Sequence, residues 1–239
     1  MHRFFIDQPA IKGKEAFIED EKLLHQFLHV LRMKVGEQIV VIGSEGAENL
    51  AVIKSLSKRR ADIEILEKLP FKSGLELEND IFVYQAIPKN LAKLELVLQK
   101  CTELGVRGFF PIITKRTELK TLRNVPRLEA IIKESAEQCG AVKLPSLGKI
   151  LNMDDILENV PGGFNLLAYE KETETTLARV MPDIKKSKTI NIFIGPEGGW
   201  DEKEIEQMKK AGFNSVGLGA RILRTETAPI AIVSAICLS

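Results

Sequence analysis

At 239 residues, 44% hydrophobic and 28% charged, the chain has the make-up of a folded globular protein with room for one large or two small domains. A net charge of +1 gives no global pull towards nucleic acid, and three widely spaced cysteines (Cys101, Cys139, Cys237) exclude a disulfide framework and a cysteine-rich zinc site. Met1-His-Arg-Phe-Phe-Ile-Asp7 lacks the basic-then-apolar pattern of a signal peptide, and the longest nearly uninterrupted apolar run, Pro229 to Leu238, is too short to cross a bilayer. A cytoplasmic protein with no membrane partner is expected.

Residues 1–72 read as a small β-rich domain. Arg3–Ile6 is a predicted strand, and Asp20 to Leu31 has helical spacing through Leu23, Leu24, Phe27, Leu28 and Leu31. Strands follow at Gln38–Ile42, Leu50–Ser55 and Ala61–Leu66, with Gly43, Gly46 and Asn49 marking the first turn. Five short elements of this kind suit a compact barrel with one helix. His25 and His29 lie four apart on one helix face, but no third ligand is near, so no metal is expected. His29-Val-Leu-Arg-Met-Lys34 brings cations to one helix end, which suits either an RNA-facing or a solvated surface.

The polar stretch 73–79 is the expected linker, and residues 80–239 form the second domain. Here strands Ile81–Ile87, Gly108–Ile113, Asn165–Tyr169, Ile190–Ile194 and Asn214–Leu218 alternate with helices. Those helices are Pro88 to Leu104 (stopped by Gly105), Pro126–Cys139, Met153–Asn159 and Asp201–Ala211. Alternation of this kind predicts an α/β fold with a mostly parallel sheet covered on both faces.

Three segments end strands and therefore share one edge of that sheet, where open α/β sheets bind ligands: Leu166–Glu170, Ile194–Gly199 and Leu218–Arg224. In the second, Ile194-Gly-Pro-Glu-Gly-Gly199 exposes backbone amides, and Asp201 with Glu204 supplies a capping box for the next helix. Gly217-Leu-Gly-Ala-Arg-Ile222 is only half of a dinucleotide fingerprint, because an isoleucine stands where the third glycine belongs. No Walker A sequence and no Gly-x-Ser-x-Gly elbow occur, and all three histidines lie in the first domain.

From Ile230 to Leu238 only Ser234 is polar, so the C-terminal helix must be covered on all sides, by its own domain or by a second subunit. A homodimer is the preferred reading. Residues 80–145 carry 11 Lys/Arg against 7 Asp/Glu, and Lys115, Arg116, Lys120, Arg123 and Arg127 cluster after one strand. Such a cluster fits a polyanion or a solvated loop.

Gln99-Lys-Cys-Thr-Glu-Leu-Gly-Val106, Ser135-Ala-Glu-Gln138, Ile194–Gly199 and Leu218-Gly-Ala-Arg-Ile-Leu-Arg-Thr-Glu-Thr-Ala228 together resemble the ribosomal RNA small subunit methyltransferase E family of the SPOUT superfamily. His29-Val-Leu-Arg32 with Gly36 extends the resemblance over nearly the whole chain. It implies a PUA-like β-barrel for RNA in residues 1–72, a SPOUT domain with a deep trefoil knot in 80–239, and a homodimer. The implied activity is S-adenosylmethionine-dependent methylation of N3 of a uridine in 16S ribosomal RNA or the small subunit. Other possibilities are a different RNA target, or an RNA-binding or ribosome-assembly factor without catalysis.

Carried over residue by residue, the resemblance lines the cofactor site with Leu167, Tyr169, Ile194, Gly195, Pro196, Glu197, Gly198, Gly199, Leu218, Gly219, Ile222 and Leu223. N3 of uridine must lose a proton before it attacks, so a base or an anion-stabilising cation is needed. Arg224 and Arg116 are the expected cations and Glu226 the proton acceptor. The expected RNA-binding set is Arg3, Arg32, Lys115, Arg116, Lys120, Arg123, Arg127 and Lys143. Where the family carries an Arg-x-Arg pair, this chain has Ala141 and Lys143, and lysine cannot supply the bidentate arginine fork.

Overall fold

The computed structural model describes residues 1–6, 11, 12, 14–43, 46–70 and 76–238. The chain divides into two compact units, one of Met1–Glu76 with Ala136–Leu144, the other of Leu77–Ser135 with Pro145–Ser239. Of the expected linker, Ser73, Gly74 and Leu75 lie outside the described residues.

In the first unit, strands β1 (Arg3–Phe5), β2 (Ile11–Lys12), β3 (Glu15–Ile18), β4 (Gln38–Ile42), β5 (Glu48–Leu56) and β6 (Ala61–Lys68) form one sheet. The order is β1-β4-β5-β6-β3-β2, with β1 parallel to β4 and the other pairs antiparallel. Among the described residues the two outer strands do not pair with each other, so the sheet is open where a closed barrel was expected. β4 reads as unbroken Ile-Val-Val-Ile because both its faces are covered: Ile39 and Val41 pack with Phe4 and Phe27, while Val40 and Ile42 pack with Phe5 and Ala136.

Helix α1 (Glu21–His25) is capped by the Asp20 carboxylate, which accepts from the Leu23 N–H at 2.9 Å. It continues as a π-helical turn, Gln26–Val30, which puts Phe27 into the core and ends at Arg32 with a left-handed φ of 52°.

The second unit carries a seven-stranded sheet in which every pair is parallel. Its strands are β7 (Asp80–Ala86), β8 (Gly108–Ile113), β9 (Ser146–Leu147), β10 (Leu151–Asn152), β11 (Phe164–Ala168), β12 (Thr189–Ile194) and β13 (Asn214–Val216). The order is β10-β8-β7-β12-β11-β13, with β9 beside β8. The helices are α2 (Leu91–Glu103), α3 (Val125–Cys139, of which Ala136 onward belongs to the first unit), α4 (Met153–Glu158), α5 (Leu177–Lys186), α6 (Glu202–Lys210) and α7 (Thr227–Cys237).

Ile81, Val83, Ile190 and Ile192 face one layer with α2 and α7, while Tyr84, Phe193 and Trp200 face the other with α4 and α6. Tyr84 stacks between Phe110 and Phe193 at centroid separations of 4.8 and 4.2 Å. A parallel sheet buried on both faces is the α/β architecture the alternation of elements predicts. Helix α5 escapes the sequence reading because Pro182 stands inside it, a residue that normally breaks a helix.

Candidate active site

The site is built at the carboxyl ends of β11, β12 and β13. After Ile194 the chain turns through Gly195-Pro-Glu-Gly-Gly199 to Trp200, whose buried indole N–H donates to the Ala168 carbonyl at 2.9 Å. This bond pins the end of the glycine loop to the end of β11. Gly195 has to be glycine, since a Cβ there would stand 2.9 Å from the indole Nε1. Gly199 has φ of 69°, and a Cβ on it would lie 2.6 Å from Glu170 Oε1.

Two further contacts hold the loop from outside. The Arg116 guanidinium donates to the Gly198 carbonyl at 2.9 Å. The predicted capping box at the start of α6 is present, and the Lys115 N–H donates to Glu204 at 2.7 Å while its ammonium pairs with Asp201 at 2.9 Å. That ammonium holds the Asp201 carboxyl below its usual range.

The third turn, Leu218–Arg224, leads into α7. Just before the helix, the buried Thr225 hydroxyl donates to the Gly195 carbonyl at 2.7 Å and accepts from Gln85 Nε2 at 2.9 Å. Gln85 lies near the end of β7, so the ends of β7 and β12 and the segment before α7 are tied together.

Between the three turns lies a cleft of about 490 Å³. The structure brings residues singled out in the sequence together: Tyr169, Ile194 to Gly199, Leu218, Gly219, Ile222, Leu223 and Arg224 line it. Leu167 does not: it is fully buried in the core against the α6 face. Ile222 and Arg224 stand at the mouth with exposures of 80% and 81%. Arg116 is not part of the wall, because its guanidinium is engaged behind the glycine loop.

Glu226 sits beside the cleft, 12% exposed, with its Oε2 buried and without a hydrogen-bond donor. Its neighbours are Lys93 at 3.7 Å and Arg224 at 4.0 Å. Lys93, Glu170, Trp200 and Thr225 also line the cleft without having been assigned a role from the sequence. Trp200 is the single tryptophan and follows the double glycine directly, a signal available beforehand. Lys93 carried none, being one lysine among many on an amphipathic helix. Burial pushes the Glu197 carboxyl up, but its bonds from the Lys93 ammonium and the Lys89 N–H outweigh this, and it lies below its usual range.

The expected RNA-binding residues fall into two sets. In the first unit, Arg3 pairs with the buried Glu48 and donates to the Gly140 carbonyl, so it is committed to structure. Arg32 and Lys143 are exposed. In the second unit, Arg127 makes a two-pronged pair with Glu95 at 2.7 and 3.0 Å, and Lys120 donates to the Thr114 carbonyl. Arg123 is exposed. His25 and His29 have ring centroids 4.8 Å apart, and among the described residues no group of three or more His, Cys, Asp or Glu is poised for a metal. No helix among them is long and apolar enough to cross a membrane.

A parallel sheet with a glycine-rich cleft at its carboxyl edge defines a ligand-binding α/β domain, and residues 75–237 match the family model of the RNA methyltransferase domain. The chain is 30% identical to ribosomal RNA small subunit methyltransferase E of Bacillus subtilis, over 99% of this chain and 96% of that protein. Among solved structures, it resembles ribosomal RNA small subunit methyltransferase E from Neisseria gonorrhoeae bound to S-adenosyl methionine. That match has a TM-score of 0.88 and 31% identity, over 99% of this chain and 96% of the other. A methyltransferase from Legionella pneumophila in complex with the same cofactor aligns with a TM-score of 0.86 and 28% identity, over 98% and 96% of the two chains. The chain belongs to the ribosomal RNA small subunit methyltransferase E family of RNA methyltransferases.

Proposed function

We propose that this protein uses S-adenosylmethionine to methylate N3 of a uridine in 16S ribosomal RNA. The observation that carries the reading is the convergence of the three turns on one cleft, beside which an exposed arginine and a buried carboxylate stand together. The residues present suit the cofactor. Ile194, Leu218, Leu223 and Ala228 offer apolar wall for an adenine ring, and the glycine loop leaves room for close backbone approach. When bound, S-adenosylmethionine supplies a methyl group activated on a sulfonium, so the protein's task is mainly orientation.

Leu167 acts from the core in this reading, by fixing the end of β11. The Arg224 guanidinium, exposed at the mouth 4.0 Å from Glu226, would hold the negative charge that develops on the uridine imide. Glu226, whose Oε2 lacks a donor, would take the N3 proton. Arg116 contributes by holding the Gly198 carbonyl. The uridine has to be unpaired or extruded to react, because N3 is engaged in base pairing.

The finer architecture follows the same reading. The first unit serves as a PUA-like RNA-binding module presenting Arg32 and Lys143. A deep trefoil knot is supported by the return of the chain past β11: Gly217 donates to the Thr175 carbonyl at 2.8 Å, and Thr225 then reaches back to Gly195 on β12's side. Ala231 on the largely apolar α7 and Leu238 at its C-cap are exposed, which suits a face covered by a second copy of the chain. Cytoplasmic location and action on the small subunit or its free RNA complete the proposal. The Ala141 and Lys143 positions favour, as a second reading, a uridine elsewhere in RNA. Labelled methyl transfer to small-subunit RNA tests the assignment: Arg224→Ala is expected to lose most turnover, and near-normal turnover removes Arg224 from the chemistry.

A further inference from the structure

Lys93 is in the first turn of α2, the third helical residue after the Asn90 cap. A cation there opposes the helix macrodipole, which favours acids at that end, so the position is not explained by the stability of the helix. Its ammonium points into the cleft and is shared by two carboxylates, Glu197 of the glycine loop at 2.9 Å and Glu226 at the start of α7 at 3.7 Å. Glu197 is satisfied, because the Lys89 N–H also donates to it at 3.3 Å. Glu226 is not: it caps α7 without making a side-chain cap bond, and its Oε2 has no donor. A largely buried carboxylate in that condition is costly unless a nearby cation offsets it.

Resting on the reading of the cleft as the cofactor site, we infer that Lys93 is a positioning residue that fastens the glycine loop to the start of α7 through its two carboxylates. The remaining charged groups around it are Arg224, which lies 4.0 Å from the other Glu226 oxygen, and Lys89, whose ammonium is occupied by Glu118 at 2.7 Å. Without Lys93, Glu197 keeps the Lys89 N–H and Glu226 keeps only the exposed Arg224 at 4.0 Å. Like charges then push the loop and α7 apart.

Calorimetric binding of S-adenosylmethionine to the full chain tests this without any assay of turnover. Lys93→Met is expected to weaken binding about tenfold. Adding Glu226→Gln to Lys93→Met is expected to recover most of that loss, a non-additivity that a merely structural role would not give. Lys93→Arg, which keeps the charge, is expected to stay within about threefold. Should Lys93→Met fail to fold, Glu226→Gln alone carries the test, with an expected loss of about threefold. Binding to Lys93→Met equal to that of the unaltered chain, additive effects in the double variant, or unchanged affinity in Glu226→Gln would overturn the inference alone. Absence of binding to the unaltered chain would overturn the cleft reading with it.

Discussion

The Thr225 hydroxyl donates to the Gly195 carbonyl at 2.7 Å, joining the segment just before α7 to the first residue of the glycine loop. Gln85 completes the chain by donating to the same hydroxyl. All three groups are buried or nearly so, and each has few alternatives.

Thr225→Val keeps the shape and removes the hydroxyl. It leaves the Gly195 carbonyl and the Gln85 amide each short of a partner, at an expected cost of about 1–3 kcal/mol. Denaturant unfolding measures the stability loss, and cofactor binding is expected to weaken in parallel. A Thr225→Ser variant, which keeps the hydroxyl, is expected to lose less.

The glycines of the loop are not equivalent. Gly195→Ala drives a methyl against the Trp200 ring, and Gly199→Ala forces a side chain into a left-handed backbone beside Glu170; each is expected to cost about 1 kcal/mol or more and to weaken cofactor binding. Gly198→Ala meets only the Arg116 side chain at 3.5 Å, an ordinary contact. Its affinity is expected to stay close to that of the unaltered chain. Calorimetry on the three variants checks the ranking, and equal losses at all three would contradict it.

Arg116 and Arg224 are expected to separate kinetically. Arg116→Ala frees the Gly198 carbonyl and is expected to weaken cofactor binding severalfold, the cost of one exposed charge-assisted bond. Arg224→Ala is expected to leave the cofactor dissociation constant nearly unchanged and to lower kcat by about 10²-fold, as removal of one anion-stabilising group does. The reverse pattern would exchange their roles.

Glu172 provides the pH dependence. Burial pushes its carboxyl up, but the Lys209 ammonium at 3.0 Å and the N–H groups of Glu174 and Thr175 outweigh this and bring it down to about 2. Since the folded value lies below the ordinary 4.5, the carboxylate stabilises the fold fully above about pH 4.5 and loses that contribution as pH falls towards 2. Glu172→Gln is therefore expected to be less stable than the unaltered chain at pH 7, with the gap closing across that window. A gap that persists at pH 2 would assign the loss to packing.

Much of this was legible in the sequence because local signals agreed with the global fold. The strand–glycine loop–helix unit from Thr189 to Lys210, with its Asp201/Glu204 box, folds as its residues dictate, and nearly every residue assigned to the cleft lines it. Leu167 does not, because strand residues alternate between faces and its neighbours decide which one it takes. Lys93, Gln85 and Thr225 were illegible for a related reason: each acquires its role from a partner tens of residues or more away. The strand β3 was missed because Glu15-Ala-Phe-Ile18 turns a small alanine inward and its phenylalanine outward, which blurs the alternation, and helix α5 because of Pro182.

The central claim is that the cleft directs a methyl group to uridine N3 in small-subunit RNA. Mass mapping of the nucleosides of such RNA after incubation with the protein and isotopically labelled S-adenosylmethionine tests it most directly. The account predicts a single labelled 3-methyluridine whose rate of formation falls about 10²-fold with Arg224→Ala. Label on another nucleoside, or none although the cofactor binds, would contradict it.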